Sequence, residues 1–118
     1  MARTGKITLD GKIVVAECRI ARDPISRFLG LMGKTKVVAG TGVLFPKCNS
    51  IHTFFMRMPI DVVFIDDKGV VKEVIDGLKA WRMLLPRSKV RHTLELGSGH
   101  AKNLGIKTGV VLRCEGVF

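Results

Sequence analysis

Between Ile51 and Asp66 the chain sets His52, Arg57 and Asp61 among Phe54, Phe55, Met56, Met58 and Ile60. Ionisable groups inside apolar sequence matter because an unpaired charge taken out of water costs several kcal/mol, so each must have a partner or a use. Arg57 and Asp61 flank Pro59, whose fixed φ and missing N–H enforce a bend. If the bend brings them together, a bidentate pair either holds a polar ligand or pins a turn. His52 is in phase with Phe54 and Met56, as an acid/base facing an apolar layer or as a hydrogen-bonded core histidine. Glu95 is an acid on a strand whose other polar positions are Arg91 and Thr93, and with Arg27 or Arg57 it completes a charged cluster. The candidate ligand-binding set is therefore Arg27, His52, Arg57, Asp61 and Glu95, expected at one mouth of the fold around a polar or anionic small ligand or glycan-like group. A hydrolytic alternative needs Asp61 or Glu95 as a base near His52, and nothing in the spacing brings the two carboxylates together. No catalytic residue is assigned, and the balance leans away from an enzyme.

The formal net charge of +10, from twenty Lys and Arg against ten Asp and Glu, points to anionic partners. The excess is blocked: no acid lies between Asp23 and Asp61, and Lys79, Arg82, Arg87, Lys89 and Arg91 fall between Asp76 and Glu95. With Trp81 this second block is the alternative site, an electrostatic nucleic-acid surface of Lys79, Trp81, Arg82, Arg87, Lys89 and Arg91. One ring amid cations is a poor stacking platform, and a solvated basic face is the plainer reading.

Several chemistries have no support. The sequence holds no glycine-rich phosphate loop, Gly-x-Ser-x-Gly elbow or Cys-x-x-Cys. Cys48 and His52 lie more than ~12 Å apart in extended chain, too far to share a metal without a turn. No metal or cofactor is expected. Gly97-Ser98-Gly99 reads either as an anion-binding nest before a short helix or as an ordinary turn. Cys18, Cys48 and Cys114 suit reduced, buried thiols, with a Cys18–Cys114 bridge as the other option. No apolar run approaches the ~18 residues that span a bilayer, and the N-terminus shows no secretory pattern, so the expectation is a cytoplasmic protein with no membrane partner.

The elements that must position these groups are short strands. Lys6 to Leu9 and Lys12 to Ile20 flank Asp10-Gly11, a type I′ hairpin signature. Asp23-Pro24 predicts a helix from Pro24 to about Met32. Val43 to Phe45 is a short strand, and Ser50 to Met56 alternates with bulk on both faces, which predicts a central strand. Asp61 to Asp66 and Val70 to Ile75 form a second hairpin about Asp66-Asp67-Lys68-Gly69, and Asp76-Gly77 predicts a further turn. Leu78 to Leu85 is open between strand and loop. Val90 to Leu96 is a strand, His100 to Leu104 a short helix, and Gly109 to Phe118 the last strand. At 118 residues, 47% hydrophobic and 25% charged, this is one domain over residues 1–118, mainly β, a compact antiparallel barrel or jelly-roll-like sandwich with two short helices.

Arg27-Phe28-Leu29-Gly30-Leu31-Met32, Gly42-Val43-Leu44-Phe45, His52 to Asp66, Leu94-Glu95-Leu96 with Gly99, and Gly105 with Gly109 occur in an order that resembles the domain of unknown function 192 family, from about Arg19 to Val117. The resemblance implies a compact, mostly β fold and widely distributed prokaryotic relatives, many of them exported, and it implies no reaction. A Trp-Met-Lys-Asn-Thr run common in that family is replaced here by Phe55 and Met56-Arg57-Met58.

Overall fold

The computed structural model describes residues 3–23, 31, 36–54 and 56–118. Apart from Leu31, the predicted helix from Pro24 to Met32, and with it Arg27, lies outside the described residues, as does Phe55.

Alternation of apolar and polar residues in the first twenty positions gives β1 (Arg3–Leu9) and β2 (Lys12–Ile20), an antiparallel pair. Asp10 and Gly11, at φ 52 and 80, take the left-handed conformations that the tight turn demands. The chain returns as β3 (Thr41–Phe45), which lies parallel to β2. β5 (Ile60–Ile65), β6 (Val71–Leu78), β8 (His92–Gly97) and β9 (Leu112–Cys114) complete a seven-stranded sheet in the order β6-β5-β8-β3-β2-β1-β9. The fold is mostly β, as expected, with one parallel pairing among antiparallel ones. A separate ribbon joins β4 (Ile51–His52) to β7 (Met83–Leu84).

The sheet curls until its edges meet. Val70 bridges Val111, Val71 N–H donates to the Val110 carbonyl at 2.9 Å, and Leu112 N–H donates to the Gly69 carbonyl at 2.8 Å. One end of a half-barrel is thereby closed. Because side chains alternate across a strand, each wall residue faces either inward or outward. Ile7, Cys18, Leu44, Val63, Ile65, Leu94, Leu96 and Leu112 fill the inside, with Ala101 from helix α1 (His100–Asn103) packed among them. Val43, Phe45, Ile60, Val62 and Phe64 face outward into a second core with Ala21, Leu31 and Met56. Strands β3, β5 and β8 are thus buried on both faces, which explains why Ile60–Ile65 is a near-continuous apolar run.

Three expectations are corrected. Ser50 to Met56 is not a central strand: only Ile51–His52 pairs, and the chain turns where Met56 N–H donates to the Thr53 carbonyl at 3.2 Å. Polar satisfaction overrides the alternation there, because Thr53 Oγ1 donates to the Lys79 carbonyl at 2.7 Å and accepts from Arg82 N–H at 2.8 Å, tying the segment to β7's approach. Asp76-Gly77 is a bulge inside β6 rather than a turn, marked by the register shift between Ile60↔Leu78 and Val62↔Ile75. In the last segment only Leu112–Cys114 is a strand. The Asp66 to Gly69 turn forms as expected, the Asp66 side chain accepting from Lys68 and Val70 N–H, each at 2.9 Å.

Candidate functional site

Asp61 and Glu95 do not converge. Asp61 pairs across the sheet with Leu96, and Glu95 with Val62, so the two carboxyls occupy opposite faces of one wall. A common mouth holding Arg57, Asp61 and Glu95 is therefore absent, because neighbouring register positions on paired strands alternate in direction. Asp61 is fully buried on the barrel side. Its Oδ1 accepts from Gly77 N–H at 2.9 Å and its Oδ2 from Ala101 N–H at 3.0 Å. One carboxylate thus fastens the β6 bulge and the plug helix to β5. The anion position suggested by Gly97-Ser98-Gly99 at the start of α1 is taken by this side chain of the protein itself.

Glu95 has a different environment. It is 4% exposed among Val43, Val62 and their outward-facing neighbours, and its Oε1 has no hydrogen-bond partner among the described residues. Burial pushes its carboxyl up to about 8, against the opposing pull of the Leu31 backbone and the Arg19 guanidinium. At neutral pH the group is largely a neutral acid, with an O–H donor to offer.

Register places Glu95 in a row. Thr4 pairs with Arg19, Arg19 with Val43 and Val43 with Glu95, and paired residues share a face. Over the outer part of this row runs a groove of about 320 Å³, lined by Thr4, Glu17, Arg19, Leu31, Lys36, Val37, Val38, Thr41, Gly42 and Val43. Leu31 and Val43 belong both to the groove wall and to the immediate surroundings of Glu95. The arrangement sets two cations, Arg19 and Lys36, the carboxylate of Glu17 and the hydroxyls of Thr4 and Thr41 along a trough that ends beside a buried neutral carboxyl. Arg19, Lys36, Thr4 and Thr41 escaped the sequence reading. The available signal was the polar phase of β2, where Arg19 sits between the inward-facing Cys18 and Ile20.

His52 and Arg57 lie elsewhere. His52, half-buried, pairs with Met83 in the ribbon, and its ring stacks on Phe54 with centroids 5.0 Å apart. Its Nδ1 accepts from Phe54 N–H at 3.3 Å. Arg57 is exposed in the approach to β5. In the basic segment Lys79, Trp81, Arg82, Lys89 and Arg91 are exposed. Arg87 is committed internally: its Nε donates to Glu73 Oε1 at 3.0 Å, and its guanidinium lies 5.4 Å from the Phe64 ring centroid. Among the described residues no three His, Cys, Asp or Glu side chains group as a metal set, and the cysteines are free. No helix among the described residues is long and apolar enough to cross a membrane.

The DUF192 family model, described as Uncharacterized ACR, matches residues 5–114, nearly the full chain. The chain belongs to the DUF192 family. Among curated relatives it is 36% identical over 104 residues to a UPF0127 protein of Pyrococcus furiosus, covering 84% of this chain and 87% of that one. It is 40% identical over 82 residues to a UPF0127 protein of Pyrococcus horikoshii, covering 67% and 70%. In three dimensions it is similar to a Sinorhizobium meliloti protein proposed as a transcription regulator, with a TM-score of 0.84, 21% identity and coverage of 98% and 97%. A Novosphingobium aromaticivorans protein of unknown function gives a TM-score of 0.78, 22% identity and coverage of 95% and 84%. At these identities the structural likeness establishes the half-barrel fold and nothing about activity.

Proposed function

We propose that this DUF192 chain is a binding protein for a small anionic ligand, held in the groove between β2, β3 and residues 36–38. Lys36 and Arg19 attract the charge, Thr4 and Thr41 supply hydroxyls, and neutral Glu95 offers an O–H to an uncharged acceptor at the inner end. The observation that carries this reading is Glu95 itself. Its buried Oε1 has no partner among the described residues, and a ligand that accepts a hydrogen bond from the carboxyl would offset the cost of burying that group. The reading keeps Glu95 from the predicted set and leaves Asp61 as a fastening residue.

Titrating small carboxylates and inorganic phosphate against isotope-labelled protein tests it. At least one probe is expected to shift the amides of Thr41, Val43 and Leu31. Lys36→Ala should weaken that probe about tenfold, as for loss of one charge-assisted contact. Raising the pH through about 8, where Glu95 ionises, should weaken it further. Shifts clustered elsewhere, or none with any probe, refute the groove as the site.

A further inference from the structure

The ribbon of β4 and β7 carries a second surface that the groove does not use. Trp81, Met83 and Leu85 are 58%, 62% and 67% exposed, while Leu84 between them is half-buried against the outer core. Three large apolar side chains at alternate positions therefore stand in solvent on one short segment, and Phe54 backs Trp81 with ring centroids 6.0 Å apart. Exposed Lys79 and Arg82 flank them in the chain, with no acid in the sequence between Asp76 and Glu95. Folding the chain leaves this apolar area in water, which marks it as a contact surface.

We infer that this ribbon docks on an anionic lipid surface. The charge complementarity is direct, since each Lys or Arg held near a negatively charged leaflet adds attraction. The apolar chemistry decides between polyanions. Met83 and Leu85 have no ring to stack on a base, whereas aliphatic side chains beside a tryptophan suit the headgroup boundary, where an amphipathic indole finds both apolar and polar surroundings. The expectation of no membrane partner rested on the lack of a spanning segment, and surface docking needs none.

Trp81 is the chain's one tryptophan, so intrinsic fluorescence reads the docking point directly. Adding phosphatidylcholine vesicles containing phosphatidylglycerol should shift the emission to the blue and sediment the protein, with much weaker effects from pure phosphatidylcholine. Lys79→Ala and Arg82→Ala should each lower the partition coefficient on the order of fivefold. Met83→Ser with Leu85→Ser should abolish the blue shift while thermal unfolding remains cooperative, because both side chains are exposed. The inference is overturned if anionic vesicles leave the emission unchanged, if the serine variant partitions like the parent, or if duplex DNA or RNA binds with steep salt dependence while vesicles do not.

Discussion

A carboxyl group buried among apolar side chains holds its proton more tightly in the folded chain than in the unfolded one, so Glu95 ties stability to pH. Its folded value of about 8 stands above the unfolded 4.5. Its contribution is therefore fully present below 4.5 and is lost as pH rises toward 8. His92 works in the opposite sense. Burial, with Arg91 and Arg22, lowers it from 6.5 to about 4, and its Nδ1 accepts from Lys47 N–H at 3.2 Å. The folded state thus keeps it neutral, and its contribution is present above 6.5 and lost as pH falls toward 4. The two slopes offset one another between 4.5 and 6.5. From 6.5 to 8 Glu95 acts alone, and unfolding free energy should fall by up to about 1.4 kcal/mol per pH unit. Urea denaturation across that window checks the slope, which Glu95→Gln should flatten. Asp61→Asn is the contrasting change. It replaces one acceptor by a donor facing a backbone N–H, so stability should drop by about 2–3 kcal/mol, while any groove ligand still binds.

Among the elements, the ribbon depends on one hydroxyl. Thr53 joins it to the chain beyond β6 through the Lys79 carbonyl and the Arg82 N–H, and its own N–H donates to the Arg82 carbonyl at 2.7 Å. Thr53→Val keeps the shape and the backbone bond but removes the partner of a part-buried donor and acceptor, at a cost of about 1 kcal/mol. Hydrogen exchange should speed up at Trp81 and Arg82 well before it does in β5 or β8. Helix α1 has the reverse dependence. Four residues cannot form a stable helix alone, so α1 persists because Asp61 holds its first turn and Ala101 fills the barrel. Space is also reserved for it: a side chain at position 97 would collide with the His100 ring. Gly97→Ala should consequently displace α1 and lower the melting temperature.

For the whole molecule the decisive event is closure of the sheet between residues 69–71 and 109–112. Gly69 takes φ 90 at this seam, and a Cβ there would run into the Leu112 carbonyl oxygen. Gly69→Ala should cost about 2 kcal/mol or more, and fast exchange of the Leu112 amide would show that the seam, rather than a distant element, has opened. Cys18 and Cys114 stay free on the inner face, and burial pushes the Cys18 thiol up to about 12, so closure does not depend on a covalent link.

Local pattern alone determined the first hairpin, the apolar identity of Ile60–Ile65, the Asp66 to Gly69 turn, the short helix at His100 and the mainly β character, since each follows from φ preference or side-chain period within a few residues. Family membership was equally legible, because order and spacing of motifs survive in one dimension. The tertiary structure decided the rest. Asp61 and Glu95 parted because a one-residue offset in register reverses a side chain's face, and register is a relation between strands. Arg19 joined Glu95's row through pairings that span from position 4 to position 95. The 52, 54, 56 alternation gave way to a turn because Thr53 found partners at Lys79 and Arg82, far along the chain. Where a side chain points, and what it meets there, was set by these long-range pairings rather than by its neighbours in sequence.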